Sequence, residues 1–120
     1  MESGRTEPEI IAVRAAPRGC ELDLVIPADL AYFAGHFDGF PILPGVVQLH
    51  WSLLLARRHL PLGAGTPATI QVKFRKPIRP GARLVLTLAQ EMTGAGEQLA
   101  FEYRGDGEPH ASGRILLSGP

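Results

Sequence analysis

The segment 46–59 constrains the fold more than any other part of this 120-residue chain. Its first three turns are apolar nearly all round, and the only polar side chains there are Gln48, His50 and Ser52. Pro44 and Gly45 mark its start and a Pro-Leu-Gly cluster at 61–63 marks its end, so the pattern predicts one helix of about 20 Å. A helix that is apolar on nearly all sides is a buried one, and other elements must therefore wrap it.

Alternating segments before and after this helix predict the elements that wrap it. The pattern favours strands at 9–15, 20–26, 69–76, 83–93, 97–104 and 109–117. In 69–76 one face carries Ile70, Val72 and Phe74, and the other carries Gln71, Lys73 and Arg75. A sheet with one wet face and one helix-covered face explains this alternation better than a sandwich would. The expected class is α+β, an antiparallel sheet of about six strands around one long central helix.

Length and composition indicate one globular domain, 1–120, with a hydrophobic share of 45% and a charged share of 20%. The single cysteine, Cys20, cannot form an internal disulfide and is expected to be a small buried hydrophobe. The polar N-terminus does not look like a signal peptide, and no apolar run is long enough to cross a bilayer. We therefore expect a cytoplasmic protein without a membrane span.

Charge is unevenly distributed although the formal net charge is zero. No Asp or Glu occurs between Gly39 and Gln90, and that stretch carries the cations Arg57, Arg58, Lys73, Arg75, Lys76, Arg79 and Arg83. One interpretation is a basic face for an acidic partner or a phosphate. The other is a set of solvated side chains that the acidic ends of the chain balance in three dimensions. The charge pattern alone favours neither.

Two histidines flank the start of the predicted helix in the stretch 32–51, YFAGHFDGFPILPGVVQLHW. His36 lies in a loop rich in glycine and proline, which fix unusual backbone angles, and His50 lies on the helix. Because imidazole titrates near neutrality, this arrangement predicts an active site. A metal site is not expected, since no HxxH or CxxC spacing supplies a third ligand. Nucleic-acid binding is not expected either, since Phe74 is the only aromatic residue within 57–83, where the cations of the basic stretch lie.

The motif GHFDGFPILPGVVQLHW, followed by VKFRKPIRPG, resembles the hot-dog-fold 3-hydroxyacyl-acyl-carrier-protein dehydratases. The first motif is similar to that family's GHFPxxPIxPGVL signature, and the second to its downstream FxxPVxPG turn. The order of elements matches over about residues 9–117. Within the family, the QLHW ending and the small size most resemble the aryl-polyene-type branch.

The resemblance implies a mechanism and a set of site residues. His36 corresponds to the family's loop histidine, which moves the proton alpha to a thioester carbonyl, and His50 corresponds to the family's helix carboxylate. The family assembles its site across a homodimer, so His36 would face His50 of a second copy. Gly45, Val46 and Gln48 would contact the substrate, with the Gly45 N–H directed at the thioester oxygen. No dissociable cofactor is implied, because the substrate arrives on phosphopantetheine.

The implied partner is acyl carrier protein, or coenzyme A as the alternative thioester carrier. Candidates for steering an acidic carrier are the cations Arg57, Arg58, Lys73, Arg75, Lys76 and Arg79.

Two departures from the family pattern keep other functions open. Histidine replaces the carboxylate at position 50, and Asp38 stands where the family usually has proline. Dehydration needs a base and an acid, so two histidines can serve only if one is neutral and the other is protonated. The alternatives are a thioesterase on the same fold, against which the lack of a helix carboxylate argues, and a non-catalytic acyl-thioester binding module. A satisfied core histidine is also an alternative for His50.

Overall fold

A computed structural model describes residues 5–33 and 41–119 of the chain. Its elements follow in the order β1 (Glu9–Ala16), β2 (Gly19–Val25), a short 3-10 turn (Ala31–Phe33), α1 (Gly45–His59), β3 (Thr66–Phe74), β4 (Arg83–Thr93), β5 (Gly96–Gly105) and β6 (Glu108–Ser118). The predicted order is confirmed, and most boundaries agree within one or two residues. The strand β3 differs, because it starts at Thr66 and ends at Phe74. It ends there since the Arg75 and Lys76 amides both donate to the His110 carbonyl and leave the regular ladder.

All six strands form one antiparallel sheet in the order β1-β2-β4-β5-β6-β3. The strand β3 follows the helix in sequence but lies at the far edge of the sheet, beside β6. The tight connection between β5 and β6 uses Asp106 and Gly107 at φ 52° and 77°. Two successive positive φ angles are what a two-residue hairpin with Asp-Gly at its centre requires.

The helix crosses the middle of the sheet, where it packs against β4 and β5. Trp51, Leu55 and Ala56 are completely buried on its sheet-facing side, and Leu86 and Leu99 are completely buried beneath them. Each large apolar side chain placed in such a core stabilises the fold by about 1.5–3 kcal/mol. A six-stranded antiparallel sheet curled around one helix confirms the expected hot-dog architecture. Cys20 is part of this core, as predicted, and burial raises the pKa of its thiol.

The helix is covered on one side only within a single chain. Val46 is 73% exposed and His50 is also exposed, although the sequence pattern predicts a helix wrapped all round. The helix side of β3 is also only partly covered, since Ile70 and Phe74 are 45% and 52% exposed. Both of these residues point to the helix side of the sheet, because their ladder partners are the buried residues of β6. An apolar surface therefore runs from the helix start to the free edge of the sheet.

No helix among the described residues has the length and apolarity needed to cross a bilayer.

Candidate active site

The start of α1 supplies unpaired backbone donors. Pro44 precedes the helix in an extended conformation (φ −60°, ψ 144°) and has no side chain that could cap it. The Val47 and Gln48 amides both donate to the Pro44 carbonyl, at 3.1 and 3.2 Å. No acceptor within the described part of the chain engages the amides of Gly45 and Val46. A helix N-terminus with two free N–H groups attracts negative charge and can stabilise an oxyanion.

An open cleft of about 330 Å³ lies at this helix start. It is lined by Ile42, Leu43, Gly45, Gln48, Phe74, Arg75, Lys76 and Pro77. Its position is fixed by the Leu43 amide, which donates to the Ile78 carbonyl at 2.8 Å and ties the turn before the helix to the turn after β3. The described part of the first sequence motif, 41–51, therefore meets the second motif, 72–81, at one cleft, which we call the helix-start cleft.

Gly45 allows the helix start to approach β3 closely. A Cβ atom on Gly45 would lie 2.5 Å from Cζ of Phe74 and 3.0 Å from its Cε2. These distances are below ordinary van der Waals contact, so any larger residue at position 45 would displace the Phe74 ring. The glycine of the PG pair is thus explained by the aromatic wall of the helix-start cleft. The sequence predicts for Gly45 only a place at the start of the helix and a donor role for its N–H.

Gln48 is buried and holds the turn before the helix. Its Nε2 donates to the Leu43 carbonyl at 3.2 Å. Its Oε1 is buried and has no hydrogen-bond partner among the described residues. The amide cannot usefully be reversed, because its oxygen would then face the carbonyl oxygen of Leu43. Gln48 therefore orients the helix start, and the substrate contact predicted for it stays a prediction.

A buried pair of hydroxyl groups anchors the same helical turn to the sheet. Tyr103 Oη donates to the Gln48 carbonyl at 2.8 Å, and Ser52 Oγ donates to the same carbonyl at 2.9 Å. The two hydroxyl oxygens lie 3.1 Å apart. Both residues are completely buried, and burial raises the pKa of the Tyr103 phenol. The sequence did not reveal this network, because its members are 51 residues apart.

His50 occupies the exposed face of α1, one turn after Val46. The N-terminal segment passes close to it, since Trp51 Nε1 donates to the Thr6 carbonyl at 2.9 Å. Glu7 follows in that segment and forms a two-point ion pair with Arg58, at 2.9 and 3.0 Å. This pairing lowers the pKa of the Glu7 carboxyl, and His50 makes a smaller contribution in the same direction. His50 is exposed in the single chain, so it is not part of the core of the subunit, and its role stays a prediction.

His36 and Asp38 lie outside the described residues. Their proposed parts in proton transfer stay predictions, as does the facing arrangement of His36 and His50. Among the described residues, no group of three His, Cys, Asp or Glu side chains could hold a metal ion.

The cations expected to steer a carrier protein do not form one group. Lys76 pairs with Glu108 at 2.8 Å, and Arg58 pairs with Glu7. Arg57 donates to the Gly65 carbonyl at 2.5 Å. Lys73 and Arg75 lie on the outer face of β3, where Arg114 of β6 joins them around a second cleft. Both interpretations of the charge pattern thus hold in part, and Arg114 is a cation that sequence reasoning did not include.

Comparison with known proteins assigns the chain to a family. The model of the ApeI-like family, described as ApeI dehydratase, matches residues 12–114. The curated 3-hydroxyacyl-acyl-carrier-protein dehydratase FabZ of Polynucleobacter necessarius is 33% identical over 98 residues, which are 72% of this chain and 64% of that protein. The chain thus spans less than two thirds of that relative's length.

Solved structures agree with this assignment. The dehydratase heterocomplex ApeI:P from Xenorhabdus doucetiae contains a chain that superposes with a TM-score of 0.83 at 29% identity, covering 94% of this chain and 99% of that one. An uncharacterized protein from Erwinia carotovora subsp. atroseptica superposes with a TM-score of 0.74 at 34% identity, covering 92% and 95%. A structure described as a putative thioesterase from Prochlorococcus marinus, at 20% identity, shares the fold alone.

Proposed function

Because this chain belongs to the ApeI-like dehydratase family, we propose that it dehydrates 3-hydroxyacyl thioesters to trans-2-enoyl thioesters. The acyl group is carried on the phosphopantetheine arm of an acyl carrier protein, in fatty-acid or polyene-type biosynthesis. The observation that carries the proposal is the helix start, where the free amides of Gly45 and Val46 adjoin a cleft with Ile42 and Phe74 in its walls. These donors suit a thioester oxygen and the apolar walls suit an acyl chain.

The reaction breaks a C–H bond at the alpha carbon and a C–O bond at the beta carbon, and it forms the C=C bond while water leaves. In the proposal, the thioester oxygen accepts hydrogen bonds from the helix-start amides, which stabilises the enolate-like charge that develops as the alpha proton departs. His36 takes that proton, and His50 of a second subunit protonates the departing hydroxyl. No dissociable cofactor takes part.

A second subunit is part of the proposal. Val46 and Phe74 expose apolar surface beside the free edge of β3, and Ile42 and Ile70 extend the same surface. An unpaired edge strand with an apolar face is a surface on which a further chain can add. We propose a homodimer that covers this surface and brings His50 of one copy towards the helix-start cleft of the other. The relative from Xenorhabdus doucetiae is described as a heterocomplex, so a second, related subunit is the alternative occupant.

Sedimentation analysis of Phe74→Asp tests the assembly. A charge placed in this apolar surface should convert the dimer into monomers, whereas Met92→Asp, which changes an apolar side chain that is 75% exposed elsewhere, should not. A dimer that persists in Phe74→Asp, or a wild-type monomer, would contradict the proposed interface.

Direct assay tests the activity. The wild type should convert a 3-hydroxyacyl carrier-protein substrate to the enoyl product, followed by mass spectrometry of the carrier. His36→Ala and His50→Ala should each reduce turnover by a factor of about 10²–10⁴, the usual contribution of a general acid or base. Loss of turnover in His36→Ala but not in His50→Ala would assign His50 a different role.

Product analysis separates the alternatives. Release of free thiol from acyl substrates would indicate a thioesterase, whereas tight binding of an acyl-pantetheine without turnover would indicate a binding module.

A cytoplasmic location belongs to the same proposal, since the free, buried Cys20 is compatible with a reducing compartment.

A further inference from the structure

Three cations surround a cleft of about 330 Å³ on the outer face of the sheet, away from the helix. The cleft is lined by Lys73 of β3, by Arg75 directly after β3 and by Arg114 of β6, with Gln71, Val72, Ser112 and Gly113 completing it. We call it the basic cleft. All three cationic side chains are exposed.

The register of the sheet brings these charges together. Gln71 is the direct ladder partner of Arg114, and Ser112 is the partner of Lys73. Lys73 and Arg114 are therefore diagonal neighbours on one face, with roughly 7–8 Å between their Cα atoms. Arg75 follows directly after the end of β3 and lines the same cleft. A group placed between the three can accept hydrogen bonds from all of them.

No carboxylate neutralises this cluster within the described parts of the chain. None of the three cationic side chains makes an ion pair or a side-chain hydrogen bond there, in contrast to Lys76, which pairs with Glu108. Glu102 on β5 is the ladder partner of Ser112, but it pairs with Arg104 at 3.3 Å. Three like charges in a concave site repel one another until an anion binds, so the arrangement favours a compact anion with several acceptor oxygens.

The basic cleft adjoins the helix-start cleft through one residue. Arg75 lines both of them, because β3 ends beside it and the chain turns at Pro77 towards the helix start. The end of the strand is fixed there, since the Arg75 and Lys76 amides donate to the His110 carbonyl at 2.8 and 3.1 Å. A flexible arm whose thioester lies at the helix start would thus leave the site past Arg75 and reach the other two cations.

We propose that Lys73, Arg75 and Arg114 bind the phosphate of the phosphopantetheine arm while its thioester occupies the helix-start cleft. This inference rests on the proposed function for the identity of the arm. The phosphate is common to carrier-bound substrates and to coenzyme A thioesters. The guanidinium groups match a phosphate with paired N–H donors, and Lys73 adds a point charge. Of the other candidates for carrier recognition, Arg58 and Lys76 pair with carboxylates of this chain, and Arg57 donates to the Gly65 carbonyl.

The test compares Lys73→Ala, Arg114→Ala and the double variant with wild type on three substrates that carry the same 3-hydroxyacyl group. These are the carrier protein, coenzyme A and pantetheine, of which the last has no phosphate. The ratio of kcat/KM between each phosphorylated substrate and the pantetheine thioester should fall about threefold per cation removed and about tenfold in the double variant. Arg83→Ala is the matched control, because Arg83 is another cation of the wet face, lining a separate cleft at the start of β4.

A binding measurement separates this inference from the proposed activity. Calorimetry with 4′-phosphopantetheine and pantetheine should show tighter binding of the phosphorylated compound by wild type, and the double variant should lose the difference. That result supports the basic cleft even if wild type dehydrates none of the substrates, in which case the proposed function alone fails. Equal affinity for the two compounds overturns the inference. So does a decrease confined to the carrier-bound substrate, which would assign the cations to the surface of the carrier protein itself.

Discussion

Replacing Gly45 by alanine should strain the contact between the helix start and β3, and the Phe74 side chain alone should determine the size of that strain. The added Cβ would lie 2.5 Å from Cζ of Phe74, whereas ordinary carbon contacts are about 3.5–4.0 Å, so the ring must move by roughly 1 Å. Overpacking in a tightly packed core costs about 1–3 kcal/mol, but Phe74 is 52% exposed and its ring can turn aside, so the cost here should be about 1 kcal/mol. The alanine itself favours a helix by up to about 1 kcal/mol relative to glycine. The net loss of stability in Gly45→Ala should therefore be about 0–1 kcal/mol.

The same substitution should have the opposite sign when the ring is absent. In a Phe74→Ala background the clash disappears and only the helix preference remains, so Gly45→Ala should stabilise the protein by up to about 1 kcal/mol. The double-mutant cycle then gives a coupling energy of about 1 kcal/mol. Urea unfolding of the four proteins measures it, with the fluorescence of Trp51, the only tryptophan, as the probe. Effects that add within about 0.5 kcal/mol would refute the contact as the reason for glycine at this position.

The activity of the Gly45 variant supplies a second measurement. A shift of the Phe74 ring by about 1 Å at the helix start misplaces the wall that positions the substrate, and a displacement of this size can reduce turnover about 100-fold. We expect kcat/KM to fall by up to that factor in Gly45→Ala while the folded fraction stays near that of wild type. Full activity in the variant would place the substrate elsewhere in the molecule.

Three further predictions concern stability. Burial raises the pKa of the Tyr103 phenol above its ordinary value of 10, so the folded chain keeps a proton that the unfolded chain releases. The contribution of Tyr103 to the free energy of unfolding should be fully present below pH 10 and should fall by about 1.4 kcal/mol per pH unit above it. In urea titrations at alkaline pH, Tyr103→Phe should remove this one-proton slope. Trp51→Phe should lower the free energy of unfolding by about 2 kcal/mol, because the residue is completely buried and its indole N–H donates to a backbone carbonyl. Unfolding followed by circular dichroism measures the change, and an unchanged midpoint would contradict the anchoring role. Gly113→Ala should lower the free energy of unfolding by at least about 2 kcal/mol, since the added Cβ would overlap the backbone oxygen of Gln71. Gly94→Ala should leave it nearly unchanged, since an added Cβ there would meet no atom within 4 Å.

The sequence alone determined the elements and their faces. Alternation on β3 placed Ile70, Val72 and Phe74 on one side, and the ladder confirms it by pairing Ile70 with the buried Ile115. The helix ends were predictable because Pro44 and the 61–63 cluster stop helical hydrogen bonding at both ends. The signature around Pro44 and Gly45 was enough to identify the fold and the family, since such local signals depend only on neighbours in the chain.

Only the tertiary structure decided which side chains meet. The six-stranded order places β3 at the sheet edge, and no local pattern specifies that position. Ser52 and Tyr103 share an acceptor across 51 residues, and Glu7 neutralises Arg58 across the same separation. Likewise, Arg114 joins Lys73 through pairing of β3 with β6. Contacts between residues far apart in the chain are set by how the sheet closes around the helix, so the charges that remain unpaired could be recognised only once the strands were in place.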